Sequence, residues 1–591
     1  MIKKERGYRQ KIAVFGVVQR VISLMDRKEK LRALLMLGSV FFNSVIELLG
    51  LAAIIPVIGL AVNPNLIHRY DWLDRLYLAS AQWGIETERQ FLIGLCCGLV
   101  VIFLIKVLTS VLINFFQTRF SFDVAHRLSG VMWTYHFSQS LQDLRASDSG
   151  LILEEIKSWP IAFANIFLVG LIKLLTEVVV ILSIGFGLLV YSPVVSIAVI
   201  LLMLFGVVII RVMTNSRVKA YGGIERDIAP KTNGMVANAT RGFLEIITFG
   251  AVVPVRNEYL RLTKTLFNVK SKSSVVFSIP AKTYELLASI GICGAIIVSL
   301  TAGVEGEDFF ELLSLMAVSA YRVMPSMSRM NSLVMAMRKD IFVLKAMERG
   351  VEYWNKACRE KSVSADLLGN RPCIELKELE LGYKTLDTPV IEGLNYRFEA
   401  GGTYAIVGVS GSGKSTLVSS ILGLHKPEQG AVLVDMGDGA HDLYSEVGAE
   451  NWLGNVGYLS QQPFLFKGTV EDNFTFRNPE VILDQAFIAE LLERLGLSDV
   501  LSQQGLKFEL NDGGSNLSGG QQQRLALLRA LQTKSPVLML DEATSALDEH
   551  TRDLVFELLR YKAAGGDLII LITHDMSLAQ RCDHMLNLSE G

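Results

Sequence analysis

At 591 residues the chain is too long for a single domain, since domains usually run to about 100–200 residues. Its net charge of −2 and isoelectric point near 6.5 show no global basic excess, which argues against a nucleic-acid partner. Half of the residues are apolar and the mean hydropathy is +0.37; the long apolar runs gather between residues 31 and 340, so a membrane-embedded part precedes a polar one. The six cysteines (Cys96, Cys97, Cys293, Cys358, Cys373, Cys582) have no CxxC or zinc spacing, so no disulfide or metal framework is expected.

The basic N-terminus (Lys3, Lys4, Arg6, Arg9, Lys11) is followed, near Leu34, by an apolar run too long for a signal peptide, which predicts a retained anchor. Stretches 33–62, 91–116, 161–190, 194–215, 278–303 and 309–336 each supply the roughly 20 apolar residues that cross a bilayer. Residues 1–32 and 216–277 are rich in Lys and Arg, whereas the turn at 191–193 is uncharged and Glu305–Asp308 is acidic. The positive-inside rule therefore puts both termini in the cytosol and those two turns outside. Residues 117–160 and 216–277 are polar but helical in pattern, and are expected to extend the spans into the cytosol. Their candidate contact points are the turn at residues 145–150 and the stretch 241–250. Between the first two spans, Asp71 begins a segment in which Trp72, Leu73, Leu76 and Tyr77 share a side, followed by Trp83. It reads as an interfacial helix on the outer surface or as an aromatic-belt loop. Glu47, Lys106, Lys173, Glu177, Glu285 and Arg322 interrupt apolar runs. Arg322 is the candidate contact for an anionic substrate, the alternative being an ion pair with Glu47 or Glu285.

Residues 345–370 turn charged and end in Gly369-Asn-Arg-Pro372, the pattern of a linker; the layout expected is therefore 1–344 in the membrane, 345–370 linking, and 371–591 as an α/β domain. In that domain the apolar run Thr403–Val407 reads as a strand and Leu417–Leu424 as a helix. Between them stands the Gly408-Val409-Ser410-Gly411-Ser412-Gly413-Lys414-Ser415-Thr416 loop, whose glycines let backbone N–H groups face phosphate oxygens at a helix N-terminus. Lys414 would reach the β- and γ-phosphates and the Ser415 hydroxyl would ligate Mg²⁺, so a nucleoside triphosphate is the expected ligand. Further on come a strand leading to Gln461, a helix opened by Leu517-Ser518-Gly519-Gly520-Gln521, and the strand Val537–Asp541 with Glu542 at its end. Asp548 follows, and the buried run Leu568–Ile572 delivers Thr573 and His574.

These motifs, in this order, make residues 371–591 resemble the nucleotide-binding domain of ABC transporters. With six spans in front, the whole chain is similar to an ABC half-transporter of the type IV exporter fold: an all-α six-helix transmembrane domain followed by an α/β P-loop NTPase domain. The resemblance implies ATP and Mg²⁺ as cofactors, with Ser415, Gln461 and Asp541 at the metal. It implies Glu542 as general base, His574 at the γ-phosphate and Tyr383 stacked on adenine. Leu517–Gln521 would close on the ATP of a second chain, which makes a homodimer the economical partner and a related half the alternative. Asp512 stands where relatives usually have Glu, and still implies a contact with the intracellular helices.

Glu47-Leu-Leu-Gly50 with Pro56, the Ser278–Glu285 stretch, Ala320-Tyr-Arg-Val-Met-Pro325 and the external segment are similar to bacterial lipid-linked oligosaccharide flippases. Thr134-Tyr-His-Phe137 departs from the Pro-Tyr pattern usual there. The resemblance implies a multi-pass protein of the inner (cytoplasmic) membrane that moves a lipid-linked glycan or other glycolipid outward. Export of peptides or amphipathic small molecules, and an ATP-gated channel or regulator, stay open as alternatives.

Overall fold

The computed structural model describes residues 14–52, 57, 60, 71–80, 87–139, 143–144, 147–191, 193–301, 307–360, 371–383, 388–437, 439–478, 480–542 and 547–589. The contacts divide the chain into two compact units, residues 1–139 with 145–356 and residues 140–144 with 357–591.

The first unit is helical: α1 (Val14–Ser23), α2 (Arg27–Ala52), α3 (Asp71–Ser80), α4 (Glu88–Phe137), then α5, which starts at Ser149–Leu153 and ends as Gly170–Tyr191. α6 (Pro193–Arg241), α7 (Phe243–Thr248), α8 (Val252–Thr301), α9 (Glu307–Lys339) and α10 (Ile341–Glu360) complete it. Among the described residues four helices are long and apolar enough to cross a membrane: Glu88–Phe137, Ser149–Phe186, Ser196–Arg241 and Val252–Gly294. The remaining two expected spans fall on α2 and α9, whose side chains lie partly outside the described residues. At 50 residues α4 is about 75 Å long against a hydrocarbon core of about 30 Å, so most of it projects beyond the bilayer. A Thr87–Gln90 capping box starts α4, and Asp148 Oδ1 accepts from Gly150 N (2.9 Å) to start α5. Within α5 two π-helical stretches, Glu154–Ser158 and Ala164–Val169, shift the helix register.

Two glycines set how closely these helices approach. A Cβ on Gly150 would lie 2.0 Å from the Pro230 carbonyl oxygen, and one on Gly222 would lie 2.1 Å from that of Lys339. Small side chains here let the start of α5 and the end of α9 pack directly on the α6 backbone. A buried polar cluster ties α4, α5 and α10 together: Glu155 meets His136 Nε2 at 2.9 Å and Arg349 at 3.0 Å. Residues 345–360, expected as linker, are the body of α10, whose face bearing Val343, Leu344 and Met347 is buried against α4 and α5. An amphipathic face of this kind gains more from packing than a free linker would. The rest of the expected linker, 361–370, lies outside the described residues, as do Trp83, Arg145, Ala146 and the turn at 302–306.

The second unit holds a five-stranded sheet and a four-stranded one. β1 (Cys373–Leu381), β2 (Ile391–Phe398), β4 (Gln429–Asp435) and β5 (His441–Asp442) pair antiparallel in the order β2-β1-β4-β5. β3 (Thr403–Val407), β6 (Val456–Leu459), β9 (Val537–Asp541), β10 (Leu568–Ile572) and β11 (His584–Asn587) run parallel in the order β11-β3-β10-β9-β6, while β7 (Gly468–Thr469) and β8 (Glu509–Leu510) form a short ribbon. The three central strands β3, β9 and β10 are almost wholly apolar and buried because both faces are covered. Alternate residues feed different cores: Ile569, Leu571, Leu538 and Leu540 pack with Leu525, Leu528 and Phe556, whereas Ile570, Ile572, Val537 and Met539 pack with Leu417, Phe398 and Trp452. Trp452 is fully buried, and its indole N–H donates to the Ile421 carbonyl at 2.7 Å.

The two adjacent glycines of α6 separate contact from propensity. Gly222→Ala forces the α9 backbone away and is expected to destabilise the chain by about 1–3 kcal/mol. A Cβ on Gly223 meets nothing within 4 Å, so Gly223→Ala should stabilise by up to about 1 kcal/mol through helix propensity. Thermal unfolding of the full-length protein in detergent checks both signs.

Candidate active site

Parallel pairing aligns the ends of three strands. Ile572 pairs with Ile406 on one side and with Asp541 on the other, so the residues that follow emerge along one edge of the sheet. Leu459 of β6 pairs with Leu540 and adds the segment leading to Gln461. In open parallel sheets this carboxyl edge is where ligands bind.

The loop after β3 leads into α11 (Lys414–Ile421), with Gly411 and Gly413 at φ 89° and 92°, in the left-handed region. Gly413 has no room for a side chain either, since a Cβ would sit 2.9 Å from Val390 Cγ1. Lys414 Nζ donates to the carbonyls of Gly408 (2.7 Å) and Val409 (2.9 Å), folding the ammonium over the loop. Among the described residues the buried Ser412 hydroxyl has no hydrogen-bond partner. Tyr383, just past β1, shares a hydrogen bond with Thr416 Oγ1 (3.1 Å) and stands edge-on to the His425 ring, whose Nε2 meets the Gly382 carbonyl at 3.0 Å. The aromatic is thereby tied to the helix that the phosphate loop opens. Gly408, Val409, Ser410, Gly411, Ser412, Gly413, Lys414, Ser415 and Thr416 thus form one continuous cradle.

Across the edge, Glu542 joins two of the other expected residues. Its Oε2 accepts from Gln461 Nε2 at 2.6 Å, and its Oε1 lies 3.4 Å from His574 Nδ1. Glu542 has φ 50°, unusual for a non-glycine residue, and its N–H donates to the Ile572 carbonyl (2.9 Å). The His574 side chain is 68% exposed and that of Glu542 only 22%, so the imidazole is the open side of the pair. Asp541 is held above the usual carboxylate range, first by burial and then by the neighbouring Glu542 charge, with the Tyr458 hydroxyl and Lys414 working the other way. The Asp541 carboxylate, the Ser415 hydroxyl and the carbonyl oxygen of the Gln461 amide offer oxygen donors of the kind Mg²⁺ takes.

Leu517 is buried, while Ser518 and Gly519 open α12 (Gly519–Leu531) toward solvent. Ser518 and Gln521 cap the helix reciprocally: Ser518 Oγ accepts from Gln521 N (3.3 Å) and Gln521 Oε1 accepts from Ser518 N (2.8 Å). Among the described residues no hydrogen bond or ion pair joins Leu517–Gln521 to the phosphate loop of the same chain. Asp548 is an N-cap as well. It accepts from Thr551 Oγ1 (2.6 Å) and Thr551 N (3.2 Å) at the head of α13 (Glu549–Ala564), and these bonds hold its carboxyl below the usual range.

In the helical unit Arg322 is half-buried on α9. Seven residues on, and so on the same helix face, Arg329 pairs with Glu177 of α5 (Nε–Oε1 2.5 Å). Glu285 pairs with Lys282 (2.7 Å), and the Glu47 side chain lies outside the described residues. Tyr77 of α3 meets Phe91 edge-on at 5.2 Å. Sequence reading passed over Arg329, although the i, i+7 spacing from Arg322 signals it. It also passed over Tyr458, which bonds Asp541, and over Ser589, whose hydroxyl accepts from Val409 N at 3.0 Å; no local pattern marks either.

Residues 391–545 match the family model described as ABC transporter. ABC transporter B family member 29, chloroplastic, from Arabidopsis thaliana is 35% identical over 221 residues, 37% of this chain and 34% of its own length. The mycobactin import ATP-binding/permease protein IrtB of Mycolicibacterium smegmatis is 36% identical over 220 residues, 37% of each chain. An ATP-dependent lipid A-core flippase from Xylella fastidiosa is 26% identical over 360 residues, 60% of this chain and 59% of its own. The match to the first two relatives spans little more than a third of their length. A solved structure of a bacterial Atm1-family ABC exporter with ATP bound superposes with a TM-score of 0.78 at 20% identity, covering 96% of this chain and 94% of that one, and shows the fold.

The Ser518 cap can be tested apart from any nucleotide. Ser518→Ala is expected to lower stability by about 1 kcal/mol, and Ser518→Asp, which still accepts from the helix N–H groups, to stay within a few tenths of wild type, as read by urea unfolding.

Proposed function

We propose that this chain, an ABC half-transporter of the type IV exporter fold, is one half of an ATP-driven pump. It pairs with a second copy and carries a lipid-linked oligosaccharide or other glycolipid from the inner to the outer leaflet of the cytoplasmic membrane. The observation that carries the enzymatic part is the Gln461–Glu542–His574 cluster at the sheet edge, facing the phosphate loop of a domain built to hold ATP.

In this reading the Gly411–Thr416 amides and Lys414 bind the phosphates of ATP, and Tyr383 stacks on its adenine. Bound Mg²⁺, held by Ser415, Asp541 and Gln461, supplies charge neutralisation at the phosphates. The Glu542 carboxylate accepts a proton from the attacking water. Gln461 keeps one carboxylate oxygen occupied, so that the other faces His574 and the water. His574 holds the γ-phosphate side of that arrangement. Ser518 and Gly520 reach the γ-phosphate of the partner chain's ATP, and Asp548 orders the helix that lies between, so one chain supplies half of each site.

The substrate part is supported by cations within the helical unit and by the relatives. Arg322 and Arg329 share a face of α9, where Arg329 pairs with Glu177, and cations placed within a span suit an anionic headgroup. One relative is named as an ATP-dependent lipid A-core flippase. Another is named for mycobactin import, and on that likeness amphipathic small molecules form the second reading.

Proteoliposomes containing full-length protein test both parts. Glu542→Gln is expected to lower ATP hydrolysis by roughly 10²–10⁴-fold while nucleotide still binds. Lipid-linked glycans should stimulate the wild-type ATPase and appear in the opposite leaflet, and Arg322→Ala should weaken that stimulation. If lipid-linked glycans neither stimulate nor move, and Arg322→Ala matches wild type, the glycolipid reading is wrong.

A further inference from the structure

On the positive-inside reading, a cavity of about 250 Å³ lies partway along α6, where its expected span gives way to the cytosolic extension and the end of α9 and the start of α10 pack on it. Its polar lining is Arg211, Asn215, Lys219, Arg226, Arg338 and Lys339, with Phe342 as the apolar wall. Five of these side chains are cations and none is an acid.

The acids nearby account for two of the five. Glu225 pairs with Lys339 at 2.7 Å and lies 3.9 Å from Lys270, and Asp227 pairs with Arg226 at 2.8 Å. Asp340, buried next to Lys339, has its carboxyl pushed up to about 6 by desolvation, opposed by Lys339. Among the described residues Arg211, Lys219 and Arg338 make no recorded ion pair, and Arg338 stands close enough to Arg211 for the two charges to repel. The positive-inside rule asks only for exposed cations near the membrane. It does not ask for a half-buried guanidinium facing another across a cavity, which is costly unless an anion is present. The geometry is also maintained from outside the cavity, because Gly222 lets the α9 backbone at Lys339 sit against α6. The cavity is smaller than the roughly 300–1,000 Å³ of drug-sized pockets, so it fits a headgroup or small ion and not a whole substrate.

We propose that the Arg211–Lys219–Arg338 cavity binds a phosphate-bearing anion, with the two guanidiniums as the main donors. The site lies in the helical unit, apart from the phosphate loop, and stands whatever substrate the chain carries. A diphosphate lipid headgroup and a soluble pyrophosphate offer the same chemistry to it.

Full-length protein carrying Lys414→Ala, so that the nucleotide loop does not report, is placed in phosphatidylcholine nanodiscs and titrated with inorganic pyrophosphate by calorimetry. Saturable binding is expected, weakened at least about tenfold by the Arg211→Gln/Arg338→Gln pair and kept within about threefold by Arg211→Lys/Arg338→Lys. In a second arm the nanodiscs contain undecaprenyl diphosphate. Loss of pyrophosphate binding there assigns the site to the lipid headgroup, and unchanged binding assigns it to the soluble anion. The proposal is overturned if wild type shows no saturable binding, if the glutamine pair binds equally well, or if the lysine pair fails as badly as the glutamine pair.

Discussion

The parallel register of β3, β10 and β9 is the constraint from which the candidate site follows. Ile406, Ile572 and Asp541 lie in one row, and each is succeeded within two residues by a group with a role in the proposed chemistry. That register is held by burial: every residue of β3 and β10 is buried, Thr403 at the start of β3 bonds Asp583 (2.7 Å), and alternate positions lock into cores on opposite faces. A slip of one residue would exchange those two cores and separate the strand ends. The unusual backbone of Glu542 is tolerated because its N–H is fixed to Ile572 and its carboxylate to Gln461.

Much of this edge can be read directly from residue order. The apolar runs Thr403–Val407, Val537–Leu540 and Leu568–Ile572 are too short for helices and too uniform for surface strands, so a doubly covered parallel sheet is their natural home. The glycines of the phosphate loop are legible for the same reason, since positive φ at Gly411 and Gly413 needs glycine. What local pattern does not encode is pairing at long range. Arg329 with Glu177, Tyr458 with Asp541 and Ser589 with Val409 each join residues dozens to hundreds of positions apart. The π-helical stretches of α5 leave no compositional mark either, and the charged run after Lys345 hides the apolar face that makes α10 a packed helix.

The two halves solve opposite solvation problems. In the nucleotide-binding half the sheet interior is apolar; in the helical half apolar side chains of the spans face outward, and several buried or half-buried charges are paired. Glu177–Arg329 and Glu155 with His136 and Arg349 are paired in this way. Arg211, Lys219 and Arg338 depart from that rule, which is why they stand out as a binding site and not as scaffold. The open helix end at Ser518–Gly519 departs from it in the nucleotide-binding half, as an N-terminus capped only by its own residues and directed to solvent.

The central claim is that this open helix end completes the phosphate loop of a second chain. In a background with the six cysteines replaced and Glu542→Gln introduced, one tagged population carries Ser410→Cys and another Ser518→Cys. Oxidative cross-linking of the mixed, reconstituted proteins should yield a disulfide-linked pair that contains both tags and depends on ATP. Absence of that pair with ATP present, together with ready bridging inside one chain that carries both substitutions, would contradict the account.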